Sequence, residues 1–308
     1  MTTRGAIYFA IMASLLLIVG FAQSWNVALG ILNLCLISAV MSLGVNIQWG
    51  YAGLFNVGIM GFAALGGLTA VLVSMPPIGE AWSVGGRGMG LALLSLLVTI
   101  TAVVLVRKYV VEVFRFWATV IVLVLGFFLI RSQFDPAVEA IEAVNPAHTG
   151  YLGGMGMPIL FSWILGGFVA AGAAWLIGKI SLGLRADYLA IATLGISEII
   201  IAVIKYEEWL SRGVKNVTGL PRPVPYEIDL IETEWVIALA ELFGGDVSEA
   251  ASVIVKLCYA ALFLIVLGII MWLSERALNS PWGRMMRAIR DNRDAASAMG
   301  KDVTARHM

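Results

Sequence analysis

Long apolar runs separated by short polar segments dominate the sequence. A helix that crosses a bilayer needs about 20 apolar residues. Eight runs approach or exceed that length: residues 6–22, 27–46, 51–74, 89–106, 116–130, 158–177, 188–204 and 253–273. The fifth run is short, and it spans only if Glu112 and Arg115 snorkel to the interface. The pattern predicts an all-α, polytopic bundle of about eight transmembrane helices.

The composition agrees with a membrane protein and excludes several soluble classes. Apolar residues make up 60% of the 308 positions and charged residues 13%, whereas soluble domains carry about 25% charged residues. Twenty basic and twenty acidic side chains give a formal charge of zero, which argues against a nucleic-acid binder. The first run, after Arg4, also has features of a signal peptide, but the seven runs that follow favour an uncleaved first helix.

The basic residues predict the orientation, because cytoplasmic loops are enriched in Lys and Arg. With the N-terminus inside, 13 of the 20 basic side chains lie on the inner side. The opposite orientation would place those 13 outside. The sequence therefore predicts that both termini are cytoplasmic.

The longest outer segment, residues 205–250, is rich in carboxylates. Asp229-x-x-Glu232 matches a helix N-cap with a reciprocal partner, so we expect a short surface helix over residues 232–243. Asp246-x-x-Glu249 repeats this pattern directly before the last apolar run and predicts its N-cap.

Polar side chains within the apolar runs are candidates for a translocation path. Asn46, Gln48 and Asn56 surround a cluster of glycines between Gly50 and Gly67. Polar groups at membrane depth usually face a bundle interior or water. The cluster fits two interpretations equally: tight helix packing alone, or a broken helix beside a translocation path.

Glu198 is a second candidate, because no other carboxylate lies as deep within an apolar run. An ionisable residue at such depth is a functional candidate, and Thr193 lies close to it in sequence. The alternatives are a structural hydrogen bond, or a span shifted so that Glu198 reaches the outer interface.

Small residues recur every fourth position in the sixth run, at Gly166, Ala170, Ala174 and Gly178. Such spacing gives one smooth helix face. We expect this seam to pack against another helix, which concerns architecture and not function.

The segment after the last run predicts an amphipathic helix over Pro281–Met299. Ser280 and Pro281 suit its start, and Gly300 suits its end. Its apolar face combines Met285, Ile289, Asn292, Ala296 and Met299. This face fits anionic lipid or a groove on a partner protein, and its small width favours the partner.

Several kinds of chemistry have no support in the sequence. No Gly-x-x-x-x-Gly-Lys-Ser/Thr loop for phosphate is present, so the chain does not bind ATP in that way. The two cysteines lie within apolar runs, and no spacing resembles a zinc site. We therefore predict neither an enzyme, nor a metal, nor a cofactor.

Four sequence blocks resemble the LivM-type permeases of branched-chain amino acid ABC transporters. They are Asn46–Gly58 (NIQWGYAGLFNVG), Arg185–Gly195 (RADYLAIATLG), the weaker Asn216–Leu220 (NVTGL) and Ser280–Gly300, which begins SPWGR. In the last block, Asp294-Ala295-Ala296-x-x-x-Gly300 resembles the family's EAA-x-x-x-G coupling motif, with Asp in place of Glu. The resemblance extends over most of the chain from about residue 30.

The resemblance implies an ABC-importer fold with a transmembrane domain, residues 1–273, and a cytoplasmic coupling segment, residues 274–308. It implies that Arg284, Arg287, Asp294, Ala295, Ala296 and Gly300 contact an ATPase. It further implies a sister permease, cytoplasmic ATP-binding subunits and a periplasmic solute-binding protein as partners, in a bacterial inner membrane whose lipid surrounds the helices.

The sequence alone leaves four points open. Urea and short-amide importers use similar permeases, so hydrophobic amino acids are the favoured substrate but not the only one. A self-contained channel or secondary transporter that uses Glu198 is the main rival from another class. The chain ends at Met308, where the family continues with further helices, which suggests truncation, and residues 84–157 are longer than the family predicts.

Overall fold

The computed structural model describes residues 3–145, 150–243 and 245–300, and this part of the chain is helical with no β-strand. The first half contains α1 (Thr3–Ala22), α2 (Trp25–Val45), a π-helix (Asn46–Tyr51), α3 (Ile59–Ser74), α4 (Gly79–Tyr109) and α5 (Glu112–Ala143). The second half contains α6 (Ile159–Ser181), α7 (Ala186–Tyr206), α8 (Glu208–Ser211), α9 (Glu227–Ile231), α10 (Glu234–Phe243), α11 (Val247–Asn279), α12 (Pro281–Asp291) and α13 (Arg293–Ala298).

The all-α polytopic fold is confirmed. Within the described ranges, seven helices are long and apolar enough to cross a membrane: α1, α2 with the π-helix, α4, α5, α6, α7 and α11. The predicted run 51–74 is the exception, because it is helical only from Ile59 and yields the 16-residue α3. Gly53 adopts a left-handed φ of +70°, which interrupts the helix within the glycine-rich start of this run.

Contacts divide the chain into two compact units. Unit one comprises Met1–Ile59, Trp175–Gly195 and Arg222–Met308, and unit two comprises Met60–Ala174 and Ile196–Pro221. The predicted boundary between a transmembrane domain and a coupling segment, after residue 273, lies within α11, which continues to Asn279, and it stays a prediction.

In unit one, α2 packs against α11 with polar contacts as well as apolar ones. The Nζ of Lys256 donates a hydrogen bond to the carbonyl oxygen of Asn26 (3.0 Å), and the Nδ2 of Asn33 donates to the carbonyl oxygen of Lys256 (3.1 Å). A buried apolar cluster of Val224, Leu230, Val236, Ala251 and Val255 fastens α9 and α10 to the start of α11.

In unit two, α4 and α5 form a long helical hairpin that accounts for most of residues 84–157. Small residues allow close contact along it, with Gly85 against Ile141, Gly88 against Ala137, and Gly126 against Thr99. Helices of 31 and 32 residues are about 46–48 Å long. The hairpin is therefore longer than the hydrocarbon core of a bilayer, which is about 30 Å thick.

Of the features predicted for residues 205–250, a surface helix and two N-caps, the structure contains the helix and one N-cap. The predicted helix over 232–243 is present as α10, and Asp246 caps α11 by accepting a hydrogen bond from the Ser248 N–H (3.4 Å). The predicted N-cap at Asp229 is wrong, because Asp229 lies inside the short helix α9.

The single helix predicted over Pro281–Met299 is also wrong. The backbone of Asn292 is extended (φ −154°, ψ 101°) and separates α12 from α13. The Oδ1 of Asn292 accepts a hydrogen bond from the Ala295 N–H (2.9 Å), so the break is the N-cap of a new helix. Pro281 begins α12 as predicted, and Gly300 adopts the predicted left-handed φ (+75°).

Candidate functional site

The first part of the candidate site is the π-helix that continues α2. Its widened turns end with the Ala52 N–H donating to the Ile47 carbonyl (3.1 Å) and the Leu54 N–H donating to the Gln48 carbonyl (2.9 Å). π-Helical turns are rare and occur frequently at functional sites. We call residues 46–58 the signature segment, since they carry the first family motif.

Residues 52–58 of the signature segment are not helical. Their backbone groups nevertheless find partners within the chain. N–H groups that donate to backbone or side-chain oxygens are those of Ala52, Gly53, Leu54, Asn56, Val57 and Gly58. Non-helical backbone at membrane depth is tolerated only inside protein or beside a water-filled cavity, and these hydrogen bonds meet that requirement.

Three of the predicted path residues lie together. The Nδ2 of Asn56 donates to the Oε1 of Gln48 (3.0 Å), and the Oδ1 of Asn56 accepts from the Gly58 N–H (2.8 Å). The Val57 N–H donates to the Oγ1 of Thr193 (3.2 Å), a buried side chain on α7. We call Gln48, Asn56 and Thr193 the polar cluster.

Glycines permit this close approach to α7. A Cβ at Gly58 would overlap the carbonyl oxygen of Thr193, and a Cβ at Gly61 would lie 2.9 Å from the Cα of Ser197. The Gly61 N–H donates to the Oγ of the buried Ser197 (2.8 Å). Sequence reasoning left Ser197 out of the site. Its signal was the i, i+4 spacing from Thr193, which places both hydroxyls on one helix face.

The depth of these contacts follows from their positions on α7. Thr193 and Ser197 lie about 10 and 16 Å along the helix from Ala186, at 1.5 Å per residue. Because Gly58 and Gly61 meet α7 at these points, α3 begins well inside the span and not at its end. Residues 52–58, which precede α3, are not helical, and they approach α7 closely at Thr193.

The other two predicted path residues do not join the polar cluster. Asn46 is exposed and lines an open recess with Trp49 and Gly50. Glu198 is exposed as well, and it makes no hydrogen bond or ion pair to any residue that the structure describes. Its neighbours Leu194 and Ile199 are also exposed.

The predicted small-residue seam is packed at one end. Gly166 is buried, and a Cβ there would lie 3.4 Å from the carbonyl oxygen of Gly66. Ala170 is half-buried and Ala174 is exposed, while Gly178 lies next to Leu182. Packing of the whole seam stays a prediction.

The apolar face predicted for the coupling segment is not free as a whole for lipid or a partner, because part of it is buried within the chain. Ile289 is buried inside the chain with Gly283 and Met286, whereas Met299 is 81% exposed. Residues of the EAA-like motif remain accessible: Asp294, Ala295 and Gly300 are exposed, and Ala296 is half-buried.

The arginines of α12 bind main-chain oxygens of their own chain. Arg284 donates to the Asn279 carbonyl (3.2 Å), and Arg287 donates to the Gly283 carbonyl (3.4 Å). Arg290 reaches further, since its Nη1 donates to the carbonyl oxygen of Gly50 in the π-helix. This contact could not be predicted from the sequence, because every residue type has a backbone carbonyl that can accept a hydrogen bond. Across the described residues, no group of three His, Cys, Asp or Glu could hold a metal ion.

Comparison with known proteins places these features in a family. Two high-affinity branched-chain amino acid transport system permease proteins LivM are similar to the chain. The one from Salmonella typhimurium is 31% identical over 46% of this chain and 33% of its own length, and the one from Escherichia coli is 30% identical over 44% and 32%. The chain thus spans about a third of the length of these relatives.

A third relative covers more of the chain. It is a probable branched-chain amino acid transport permease protein LivM from Methanocaldococcus jannaschii, 25% identical over 86% of this chain and 56% of its own length. No solved structure gives a significant match.

The family model described as "Branched-chain amino acid transport system / permease component" matches residues 27–308. This range includes the signature segment, α7 and the coupling segment, so the predicted resemblance is confirmed. Together with the seven apolar helices, it makes the protein a multi-pass transport component. The chain belongs to the permease-component family of branched-chain amino acid transport systems.

Proposed function

We propose that this chain is the membrane-spanning permease subunit of an ATP-driven ABC importer that carries branched-chain amino acids across a bacterial inner membrane. The observation that supports the proposal is the helix broken at residues 46–58, which brings Gln48 and Asn56 next to Thr193 of the apolar helix α7. Substrate sites of transporters commonly form at such breaks.

The signature segment offers contacts of the two kinds that this substrate needs. A branched-chain amino acid combines charged ammonium and carboxylate groups with an apolar side chain. The Oε1 of Gln48 is held by Asn56, while its Nε2 has no protein partner among the described residues and can donate to a carboxylate. Trp49 and Phe55 form an edge-to-face aromatic pair (4.9 Å between centroids) that supplies apolar surface.

Energy must come from partner subunits, because the sequence lacks a phosphate loop. The exposed Asp294, Ala295 and Gly300, with the half-buried Ala296, form the docking surface for a cytoplasmic ATP-binding subunit in this proposal. Arg284 and Arg287 precede that surface in sequence, on α12. A sister permease completes the membrane part, and a periplasmic solute-binding protein delivers the substrate.

The test is uptake into proteoliposomes that contain the permease with its sister and ATP-binding subunits. Labelled leucine, presented with the solute-binding protein, is expected to accumulate only with ATP on the cytoplasmic side. Unlabelled isoleucine and valine should compete, and urea should not. The control is an ATP-binding subunit whose phosphate-loop lysine is replaced.

Two outcomes would contradict the proposal. Leucine uptake that does not depend on ATP would favour the channel or secondary-transporter alternative. ATP-dependent uptake of urea or a short amide, without uptake of leucine, would place the chain in a related importer of another substrate class.

A further inference from the structure

The coupling segment and the signature segment touch each other within unit one. Gly50 is the penultimate residue of the π-helix, and its carbonyl oxygen accepts the hydrogen bond from Arg290 of α12. Carbonyls in the last turn of a helix lack donors within the helix, and the guanidinium of Arg290 supplies a donor to the Gly50 carbonyl. The Nε and Nη2 of Arg290 also bind the Oδ1 of Asp291 (2.9 and 2.8 Å), which fixes the plane of the guanidinium.

A second observation shows that the contact is close at the level of the main chain. A Cβ at Gly53 would lie 2.7 Å from the Cγ and 3.5 Å from the Cα of Arg290. The positive φ of Gly53 (+70°) further favours glycine there. The last turn of α12 therefore rests directly on the point where the π-helix ends.

The helix α12 is packed against its own chain at several points. Met286 and Ile289 are buried, and a Cβ at Gly283 would overlap the main chain of Leu278 near the end of α11. Arg290 lies two residues before Asn292, which joins α12 to α13, so a displacement of α13 has only this short connection to cross before it reaches Arg290.

The π-helix connects Gly50 to the polar cluster. Gln48 lies two residues before Gly50 in the same six-residue π-helix, and it receives the hydrogen bond from Asn56. At the end of this helix, hydrogen bonds of different span coexist, since Ala52 bonds to Ile47 while Gly53 bonds to Trp49. A helix end with mixed i→i−5 and i→i−4 bonds can exchange between the two patterns, and each exchange reorients the residues beyond it.

We propose that Arg290 is a positioning residue that couples displacement of α12 to the hydrogen-bond pattern of the π-helix, and through it to the polar cluster. The inference rests on the proposed function, because the displacement is produced by the ATP-binding subunit. Arg290 acts through Gly50 and does not touch the substrate.

The test separates ATP hydrolysis from transport in the assembled importer. Arg290→Met keeps an unbranched, flexible side chain and removes its donors and its charge. We expect it to hydrolyse ATP while the amount of leucine taken up per ATP falls about fivefold or more, the lower end of typical coupling between sites. Arg290→Lys retains one charged donor without the guanidinium fork, and we expect an intermediate ratio. Arg276→Met is the matched control, because it removes the same charge from the end of α11, where Arg276 lies over the Trp272 ring.

Hydrogen exchange gives a readout that a purely structural role would not produce. In the wild-type importer, binding of a non-hydrolysable ATP analogue should change amide protection in residues 46–58. In Arg290→Met this change should be lost, while the change at the docking surface of α13 remains. If Arg290→Met does not assemble, Arg290→Lys serves for the same comparison.

The outcomes of the two proposals are distinguishable. A wild-type importer without ATP-dependent uptake contradicts the proposed function. An active wild type, together with an Arg290 variant that keeps the wild-type ratio of uptake to hydrolysis or the nucleotide-dependent protection of residues 46–58, overturns the role of Arg290 alone.

Discussion

The carboxylate of Glu198 lies on a face of α7 that the chain leaves uncovered, with Leu194 46% and Ile199 63% exposed. A carboxylate that faced lipid at the centre of a helix would cost about 2.5–3.5 kcal/mol. The adjacent polar side chains Thr193 and Ser197 point into the chain and are buried. We therefore expect the Glu198 face to meet the sister permease or a water-filled path in the assembled transporter.

Replacing Glu198 provides a test at the scale of one residue. Glu198→Gln and Glu198→Leu are both expected to reduce uptake at unchanged protein level, because each removes the charge that the covering surface accommodates. The measurement is initial-rate uptake in vesicles, normalised to the amount of permease. Glu241→Gln, on the exposed surface of α10, is the control and should behave as wild type. Normal uptake with a more stable Glu198→Leu protein would instead show a lipid-facing carboxylate without a role in transport.

At the residue scale, the sequence predicted three polar residues that do lie together, but it did not predict their hydrogen bonds. Gln48, Asn56 and Thr193 are polar residues at membrane depth, and polarity alone selected them. The same rule also selected Asn46 and Glu198, which are exposed, because it does not tell which side of a helix faces the bundle. The partner of Arg290 is a backbone carbonyl, and no pattern of side chains indicates such an acceptor.

At the scale of elements, the break at Asn292 shows why helix ends are harder to predict than helices. Pro281 and Gly300 are a suitable start and stop, and they favoured one continuous helix. Asn, however, competes with the helix backbone and prefers N-cap positions. The order Asn292, Arg293, Asp294 is therefore typical of a helix N-cap. In the structure this N-cap separates α12, part of which is buried, from the exposed α13.

If α13 docks on an ATP-binding subunit as proposed, a bulky side chain or a strained backbone there should weaken docking. Ala296→Trp should overpack the half-buried contact and weaken docking by about 1–3 kcal/mol. Gly300→Val should distort the end of the segment, because a β-branched residue tolerates the left-handed φ poorly. The measurement is co-purification of the ATP-binding subunits together with ATP-driven uptake. Ala238→Trp places the same ring on an exposed position of α10, away from the docking surface, and serves as the control. Wild-type docking and uptake in both test variants would refute the docking role.

At the scale of the whole molecule, hydropathy predicted the number of apolar runs but not the form of each one. Eight residues of the third run, 51–58, belong to the π-helix or the non-helical stretch, because glycine and asparagine there favour turns over α-helix. Hydropathy averages over such a break and cannot detect it. We expect α3 and residues 52–58 to complete one crossing together, which preserves the predicted inside location of both termini.

Aromatic and basic side chains agree with that topology. A cationic group lies over an aromatic ring at the C-terminal end of three long helices: Lys108 over Tyr109 in α4 (5.4 Å), Lys179 over Trp175 in α6 (5.0 Å) and Arg276 over Trp272 in α11 (5.4 Å). Aromatic rings favour the membrane interface, and Lys and Arg favour its cytoplasmic side. The predicted orientation places all three ends inside.

Cysteine accessibility at Arg185 and Arg222 tests the topology directly. Arg185 precedes α7 and Arg222 follows it, and α7 is the one helix between them that is long enough to cross a membrane in the described chain. In a background without Cys35 and Cys258, a membrane-impermeant maleimide added to intact cells should label a cysteine at 222, and a cysteine at 185 only after permeabilisation. Loss of the exposed Arg222–Glu227 pair (3.7 Å) should cost no more than about 1 kcal/mol, so the substitution itself will not disturb the fold.

Labelling of both positions from one side would show that α7 does not cross the membrane. Labelling of position 185 alone in intact cells would show that the chain is inserted with its basic loops outside, against the charge distribution from which the orientation was predicted.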